Sequence, residues 1–170
     1  IWLCNEETIF LYNTATAQVC PIRNEIKEEI TDIEQIDESH YFIGTEMGIL
    51  YAKLENDTLE LINCDKLENV KVQVSDLHFD KKIGKLFIGT FLRGIFIYDM
   101  SIKSVVQPDN NLRDISINKF KSLNDKELLI ATDGGGVHKM NIETFQLEPY
   151  IITDYNNNNG MNGNSMKDIY

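Results

Sequence analysis

The sequence predicts an all-β fold: a β-propeller built from four-stranded antiparallel blades. Three observations predict it. First, a short apolar run ending in a small-polar pair and a glycine turn recurs. It appears as "YFIGTEMGILYAKL" (Tyr41 to Leu54), "LFIGTFLRGIFIYDM" (Leu86 to Met100) and "LLIATDGGGVHKMN" (Leu128 to Asn141), with a degenerate copy, "IWLCNEETIFLYN", at Ile1 to Asn13. Second, an apolar-x-x-apolar signature recurs in step with it: "ITDI" from Ile30, "VSDL" from Val74, "INKF" from Ile117 and "MKDI" from Met166. The anchors Leu3, Ile43, Ile88 and Ile130 are 40, 45 and 42 residues apart, and the second signature repeats at 44, 43 and 49. Third, no stretch carries a convincing helical stripe. Four short strands per unit of about 40 to 50 residues is the period of a propeller blade.

The elements follow in chain order. Residues 1–22 supply strands B to D of a first blade. The second blade, 30–62, reads as Ile30 to Ile36, Tyr41 to Thr45, Ile49 to Leu54 and Thr58 to Ile62. The third, 74–107, reads as Val74 to Phe79, Leu86 to Thr90, Gly94 to Tyr98 and Lys103 to Gln107. The fourth, 117–151, reads as Ile117 to Lys121, Leu128 to Thr132, Val137 to Asn141 and Phe145 to Tyr150. Residues 166–170 are the first strand of a further blade. Each run is rich in β-branched and aromatic residues and too short for a helix. Gly48, Gly94 and Gly136 stand where a hairpin must turn. "NEIKEEI", Asn24 to Ile30, is the one candidate for a short helical turn.

A single sheet cannot bury both its faces, so blades must stack into a continuous core. Tyr51, Phe96 and Tyr98 are expected in that core. A parallel β-solenoid is the alternative for a repeating chain, with shorter coils. About four blades are present. They either close a small ring, the last strand completing the first blade, or form part of a larger propeller, which is the expectation.

The glycines of "ELLIATDGGGVHKMN" invite a phosphate-loop reading. That reading needs a helix after the glycines, and a strand follows instead. No nucleotide and no other cofactor is expected. The net charge of −11 argues against a nucleic-acid partner. No run of about 18 apolar residues could span a membrane, and the opening "IWLCNEE" reads as mid-strand, so the lack of a leader carries no information. Cys4, Cys20 and Cys64 are odd in number and lack a C-x-x-C spacing; they are expected to be small buried hydrophobes. His40, His78 and His138 stand in no metal or catalytic motif, so no metal site and no catalytic residue are expected.

"VSDLHFDKKIGKLFIGTFLRGIFIYD", Val74 to Asp99, resembles the two-component regulator propeller repeat. That pattern runs roughly "vrdiyeD-x-x-G-x-lWiGT-x-x-GGlyryd". Asp80, Gly84, Phe87, Gly89-Thr90 and Gly94 match it. The stretch from Leu128 and the terminal "NSMKDIY" match again, and the first copy keeps Trp2 but has Cys4-Asn5 for Gly-Thr. The resemblance implies the periplasmic sensor region of a Bacteroides-type hybrid two-component system. In that arrangement tandem propellers precede an immunoglobulin-like domain, a transmembrane helix and a histidine kinase. It further implies recognition of an oligosaccharide released from a complex glycan. The partners it implies are the remaining blades, the downstream signalling domains and a second copy in a homodimer.

In a propeller the B–C turns share a face with the D–A connectors. That face would carry Glu46-Met47, Phe91-Leu92-Arg93, Asp133-Gly134 and the Asn-rich connector Asn156 to Asn164. Loops on a rigid scaffold commonly carry recognition. Candidate ligand residues are Arg93, Phe91, Asp133, Glu46 and Asn164. The planar fork of Arg93 suits carboxylate or sulfate. Three of them have a plainer reading: a solvated turn residue or a salt bridge to a neighbouring blade for Arg93, a self-stabilised turn for Asp133, a flexible connector for Asn164. Asp32, Asp76 and Asp168 recur once per blade, which points to a structural hydrogen bond to the adjacent blade. The competing functions are a ligand-sensing module, a protein-interaction scaffold and, less favoured, a propeller lyase or hydrolase.

Overall fold

The computed structural model describes residues 1–4, 8–64, 66–108, 112, 115–152 and 163–170. Fifteen strands are found among them, arranged in four antiparallel sheets. The first sheet is three-stranded: β1 (Trp2–Cys4), β2 (Ile9–Asn13) and β3 (Gln18–Ile22). The second holds β4 (Ile30–Gln35), β5 (His40–Thr45), β6 (Gly48–Glu55) and β7 (Thr58–Ile62). The third holds β8 (Val74–Asp80), β9 (Lys85–Thr90), β10 (Gly94–Asp99) and β11 (Ser104–Val106). The fourth holds β12 (Ile117–Asn124), β13 (Glu127–Thr132), β14 (Gly136–Asn141) and β15 (Leu147–Ile151). Within each sheet the strands lie in sequence order, the meander of a propeller blade. The fold class is that of propeller blades.

Apolar residues along one strand serve two interfaces, because successive side chains point to opposite faces. On β9, Leu86 and Ile88 join a core with Phe42, Val74 and Tyr98, whereas Phe87 joins another with Ile117, Phe120 and Ile130. On β5, Phe42 faces the third sheet and Tyr41 and Ile43 face the first. Double-sided burial is why the runs are continuous rather than alternating. Tyr98 is buried; Tyr51 and Phe96 pack half-buried against the same core.

The glycine and threonine of the Gly-Thr pair have separate tasks. A Cβ on Gly44 would stand 2.6 Å from Val74 Cγ1, and one on Gly89 2.7 Å from Ile117 Cγ2. Glycine there lets the first strand of the next blade pack against the sheet. The threonine hydroxyls close the hairpins: Thr45, Thr90 and Thr132 donate to the carbonyls of Gly48, Gly94 and Gly136 at 3.0, 2.7 and 3.0 Å.

The apolar-x-x-apolar signature is a repeated β-bulge. Pairing between first and second strands slips at the same place each time, between Ile30 and Asp32, Val74 and Asp76, and Ile117 and Lys119. A bulge bends the strand and re-aims the next side chain. Asp32 accordingly accepts the backbone N–H of Leu77 at 2.8 Å, and Asp76 that of Phe120 at 2.7 Å. The carboxylates of two blades thus hold the innermost strand of the next. Asp168 accepts the neighbouring N–H of Ile169, at 2.7 Å, and the hydroxyl of Tyr170.

Two expectations are corrected. Asn24 to Ile30 forms no helical turn. Arg23 instead bridges Thr58 in parallel, Asn24 caps the N–H of Ile26 at 3.0 Å, and Ile26 packs on the core. One isolated helical turn costs more to nucleate than it returns. The short 3-10 turn sits at Leu67–Asn69, where buried Leu67 and Val70 share a face. The cysteines are not buried: Cys4 and Cys20 are exposed and Cys64 is half-buried. Cys4 and Cys20 lie on the two outer strands of the three-stranded sheet. Among the described residues no helix is long and apolar enough to cross a membrane.

Candidate functional site

The second-to-third-strand turns and the interblade connectors lie together on one face. Glu46 N–H donates to Glu29 O at 3.1 Å, Phe91 N–H to Gln73 O at 3.0 Å and Asp133 N–H to Ser116 O at 3.0 Å. Gly94 N–H donates to Ile115 O at 2.8 Å, which ties the third sheet's turn to the connector leading into the fourth. The turns are short, hydrogen-bonded at their base by threonine, and braced by the connectors. Side chains at their tips are therefore presented by a stiff framework.

The β9–β10 turn carries the strongest chemistry. Phe91 is 49% exposed and Leu92 54% exposed. Leu92 holds φ at +61°, a conformation uncommon for a non-glycine residue. Strain of this kind persists only where the surroundings enforce it. Arg93 is exposed, and its guanidinium makes no hydrogen bond or ion pair among the described residues. Its carbonyl accepts Gln107 Nε2 at 2.6 Å, which anchors the backbone beneath it. Phe91 and Arg93 are thus both exposed, two residues apart on the same turn.

The other candidates lie in different surroundings. Asp133 is already engaged: its Oδ1 accepts Ser165 Oγ and, at 2.9 Å, Lys167 Nζ. The Ser165 hydroxyl, then the Lys167 ammonium, hold its carboxyl below the ordinary carboxylate value. Asn164 is brought beside it through the backbone, its carbonyl accepting Gly134 and Gly136 N–H at 3.1 and 2.7 Å. Positions 156–162 of the Asn-rich connector lie outside the described residues. Glu46 lines a cavity of about 520 Å³ between the first two sheets, together with Lys27, Glu28 and Glu29. That acidic lining suits hydroxyl donors, whereas Arg93 suits an acid. Among the described residues no cluster of His, Cys, Asp and Glu could hold a metal ion.

Sequence reasoning missed one residue of consequence, Lys119. It replaces the recurrent aspartate of the bulge, and its Nζ pairs with Asp76 Oδ1 at 2.5 Å. The signal was present: "INKF" is the one copy of the signature that breaks the acidic pattern.

No protein-family model matches the chain, and no curated protein does. Solved structures do. Two structures of BT4673 from B. thetaiotaomicron, 22% and 21% identical, superpose with a TM-score of 0.75 over 99% of this chain. They are described as the extracellular domain of a one-component system in one case and of a hybrid two-component system in the other. The extracellular domain of the hybrid two-component system BT3049 from the same organism, 16% identical, matches 75% of this chain and 19% of its own length at a TM-score of 0.58. The WD40 repeats of RRP9, 14% identical, match 74% of this chain and 39% of their own at 0.59. This chain spans about a quarter of the BT4673 domain, 23% of its length. The likeness is one of fold: consecutive blades of a β-propeller, shared with the extracellular domains of two-component systems.

Proposed function

We propose that this chain is part of the ligand-sensing propeller of an extracytoplasmic receptor of the hybrid two-component kind. It recognises a glycan fragment and passes the signal to a histidine kinase outside this chain. The segment itself binds rather than catalyses, and its location is periplasmic. The observation that carries the reading is the Phe91-Leu92-Arg93 turn. An exposed aromatic ring offers stacking to the C–H face of a sugar, and the adjacent guanidinium offers paired N–H donors to a carboxylate or sulfate. Met47, 65% exposed on the neighbouring blade's turn, extends the apolar surface. The fold shared with extracellular domains of two-component systems supports the same reading.

The test is calorimetry of the complete ectodomain against a panel of acidic and neutral glycan fragments. Saturable binding without turnover is expected. Arg93→Ala and Phe91→Ala each weaken it about tenfold or more, the loss of roughly 1.4 kcal/mol or above, with an unchanged thermal midpoint. Turnover of a fragment would favour a propeller lyase or hydrolase instead. Binding of a protein partner in place of every glycan would favour a scaffold.

A further inference from the structure

A cavity of about 570 Å³ lies between the second and third sheets. It opens beside the β10–β11 turn, at the other end of β10 from the Phe91–Arg93 turn, so it is separate from the face described above. Its size is that of a small-molecule site, for which about 300–1,000 Å³ is usual. The wall is aromatic. Phe42 and Tyr98 are buried and meet edge to face at 6.0 Å between ring centroids, and half-buried Tyr51 lies 5.3 Å from Phe42. Tyr98 Oη and Cys64 Sγ are 3.4 Å apart, which places a thiol on the lining.

Two lysines, Lys66 and Lys103, line the same cavity and are exposed. Neither has an ion pair or side-chain hydrogen bond among the described residues. Lys53, Lys82, Lys85, Lys119, Lys139 and Lys167 pair with carboxylates, whereas Lys27, Lys71, Lys81, Lys121 and Lys126 have no ion pair among the described residues either; what sets Lys66 and Lys103 apart is that both line one aromatic cavity. Two unneutralised ammonium groups at one cavity mouth therefore complement an anion. The apolar wall complements a flat, poorly hydrated body, and an aromatic ring gains from edge and offset contacts with other rings.

We infer that this cavity is a binding site for a small aromatic acid, a flat ring system carrying one carboxylate or sulfonate. The ring lies against Tyr51 and Tyr98, and the acid group meets Lys66 and Lys103. The inference stands independently of the glycan reading, since it uses none of the same residues.

Calorimetric titration of the full chain with 2-naphthalenesulfonate tests it. Saturable binding is expected. The uncharged 2-naphthalenemethanol binds at least tenfold more weakly, and the Lys66→Glu/Lys103→Glu variant loses affinity for the sulfonate by a similar factor. Lys126→Glu, in the β12–β13 turn of the fourth sheet, leaves it unchanged. A second readout needs no lysine substitution. In a Cys4→Ser/Cys20→Ser background, saturating sulfonate slows iodoacetamide alkylation of Cys64 several-fold. Non-saturating binding, equal affinity in the lysine double variant, or undiminished alkylation of Cys64 overturns the proposal.

Discussion

Asp76 on β8 and Lys119 on β12 form an ion pair across the joint between the third and fourth blades. The same carboxylate also accepts the Phe120 backbone N–H through its other oxygen. Asp76 is 2% exposed. Burial pushes its carboxyl up to about 7, against the hydrogen bonds from Lys119 and Phe120 that favour ionisation. Lys119 is also held above its ordinary value: burial works against the ammonium, but the bond to Asp76 and the charges of Asp76, Asp32 and Asp168 outweigh it. One lysine thus serves as countercharge to three recurrent aspartates.

The pH consequence follows from the direction of the Asp76 shift. Its folded value lies above its unfolded one, so the stability it contributes is full below the ordinary aspartate range. That stability is lost as pH rises through about 7. Urea unfolding between about pH 4 and pH 8 is expected to show this decline, and Asp76→Asn to flatten it. Asp76→Ala orphans the buried Phe120 N–H and costs about 1–3 kcal/mol. A Lys119→Met chain leaves Asp76 without its cation and declines more steeply with pH than the wild type. A flat wild-type profile would refute the assignment.

Gly89 touches the neighbouring blade where a methyl group has no room. A Cβ there meets Ile117 Cγ2 at 2.7 Å and Phe120 Cε2 at 3.1 Å. Gly89→Ala is expected to cost about 1–3 kcal/mol by overpacking. Adding Ile117→Ala removes the nearest obstacle, so the double variant is more stable than the sum of the singles predicts. Additive effects in chemical denaturation would show that the blades are not in contact at this point.

Much of the architecture was legible because both faces of each sheet are buried. That burial writes long apolar runs, and the hairpin chemistry writes Gly-Thr and glycine at fixed offsets. In the second, third and fourth blades strand limits moved by no more than three residues, β11 being Ser104–Val106 against the expected Lys103 to Gln107, whereas the strand expected at 166–170 is not formed. The interblade role of Asp32 and Asp76 was also legible, since a hydrogen bond repeated at successive joints repeats its residue; Asp168 bonds Ile169 and Tyr170 of its own segment instead. The bulge was not. It depends on pairing register, and its residues, Thr31, Ser75 and Asn118, share only small polar character. The aromatic cavity was hidden for a related reason. Tyr51, Cys64 and Tyr98 come from different blades and connectors, and no local pattern joins them.

The hairpin threonines give a prediction that repeats with the fold. Thr45, Thr90 and Thr132 are buried, and each hydroxyl donates to a carbonyl across its own turn. Replacing any one with valine keeps the shape but leaves a buried carbonyl short of a donor. About 1 kcal/mol is expected at each site. Serine in the same place keeps the bond and loses only a methyl group. Thermal unfolding of the three valine variants should show shifts of similar size; a neutral Thr90→Val would indicate that the hydroxyl is not what closes the turn.

Asp133 offers a way to separate support from recognition. Its carboxylate grips Ser165 and Lys167, and next to it Met166 N–H donates to Thr132 O at 2.9 Å. The carboxyl is held low by those partners, so the grip is complete above the ordinary aspartate value and is lost as pH falls. Hydrogen exchange at the Met166 amide reports on it directly. Asp133→Asn is expected to speed that exchange at neutral pH and to remove its acid dependence. Glycan affinity is expected to fall far less than in Arg93→Ala, because the side chain is committed to its own chain. A variant that abolishes glycan binding while Met166 stays protected would instead make Asp133 a direct ligand contact.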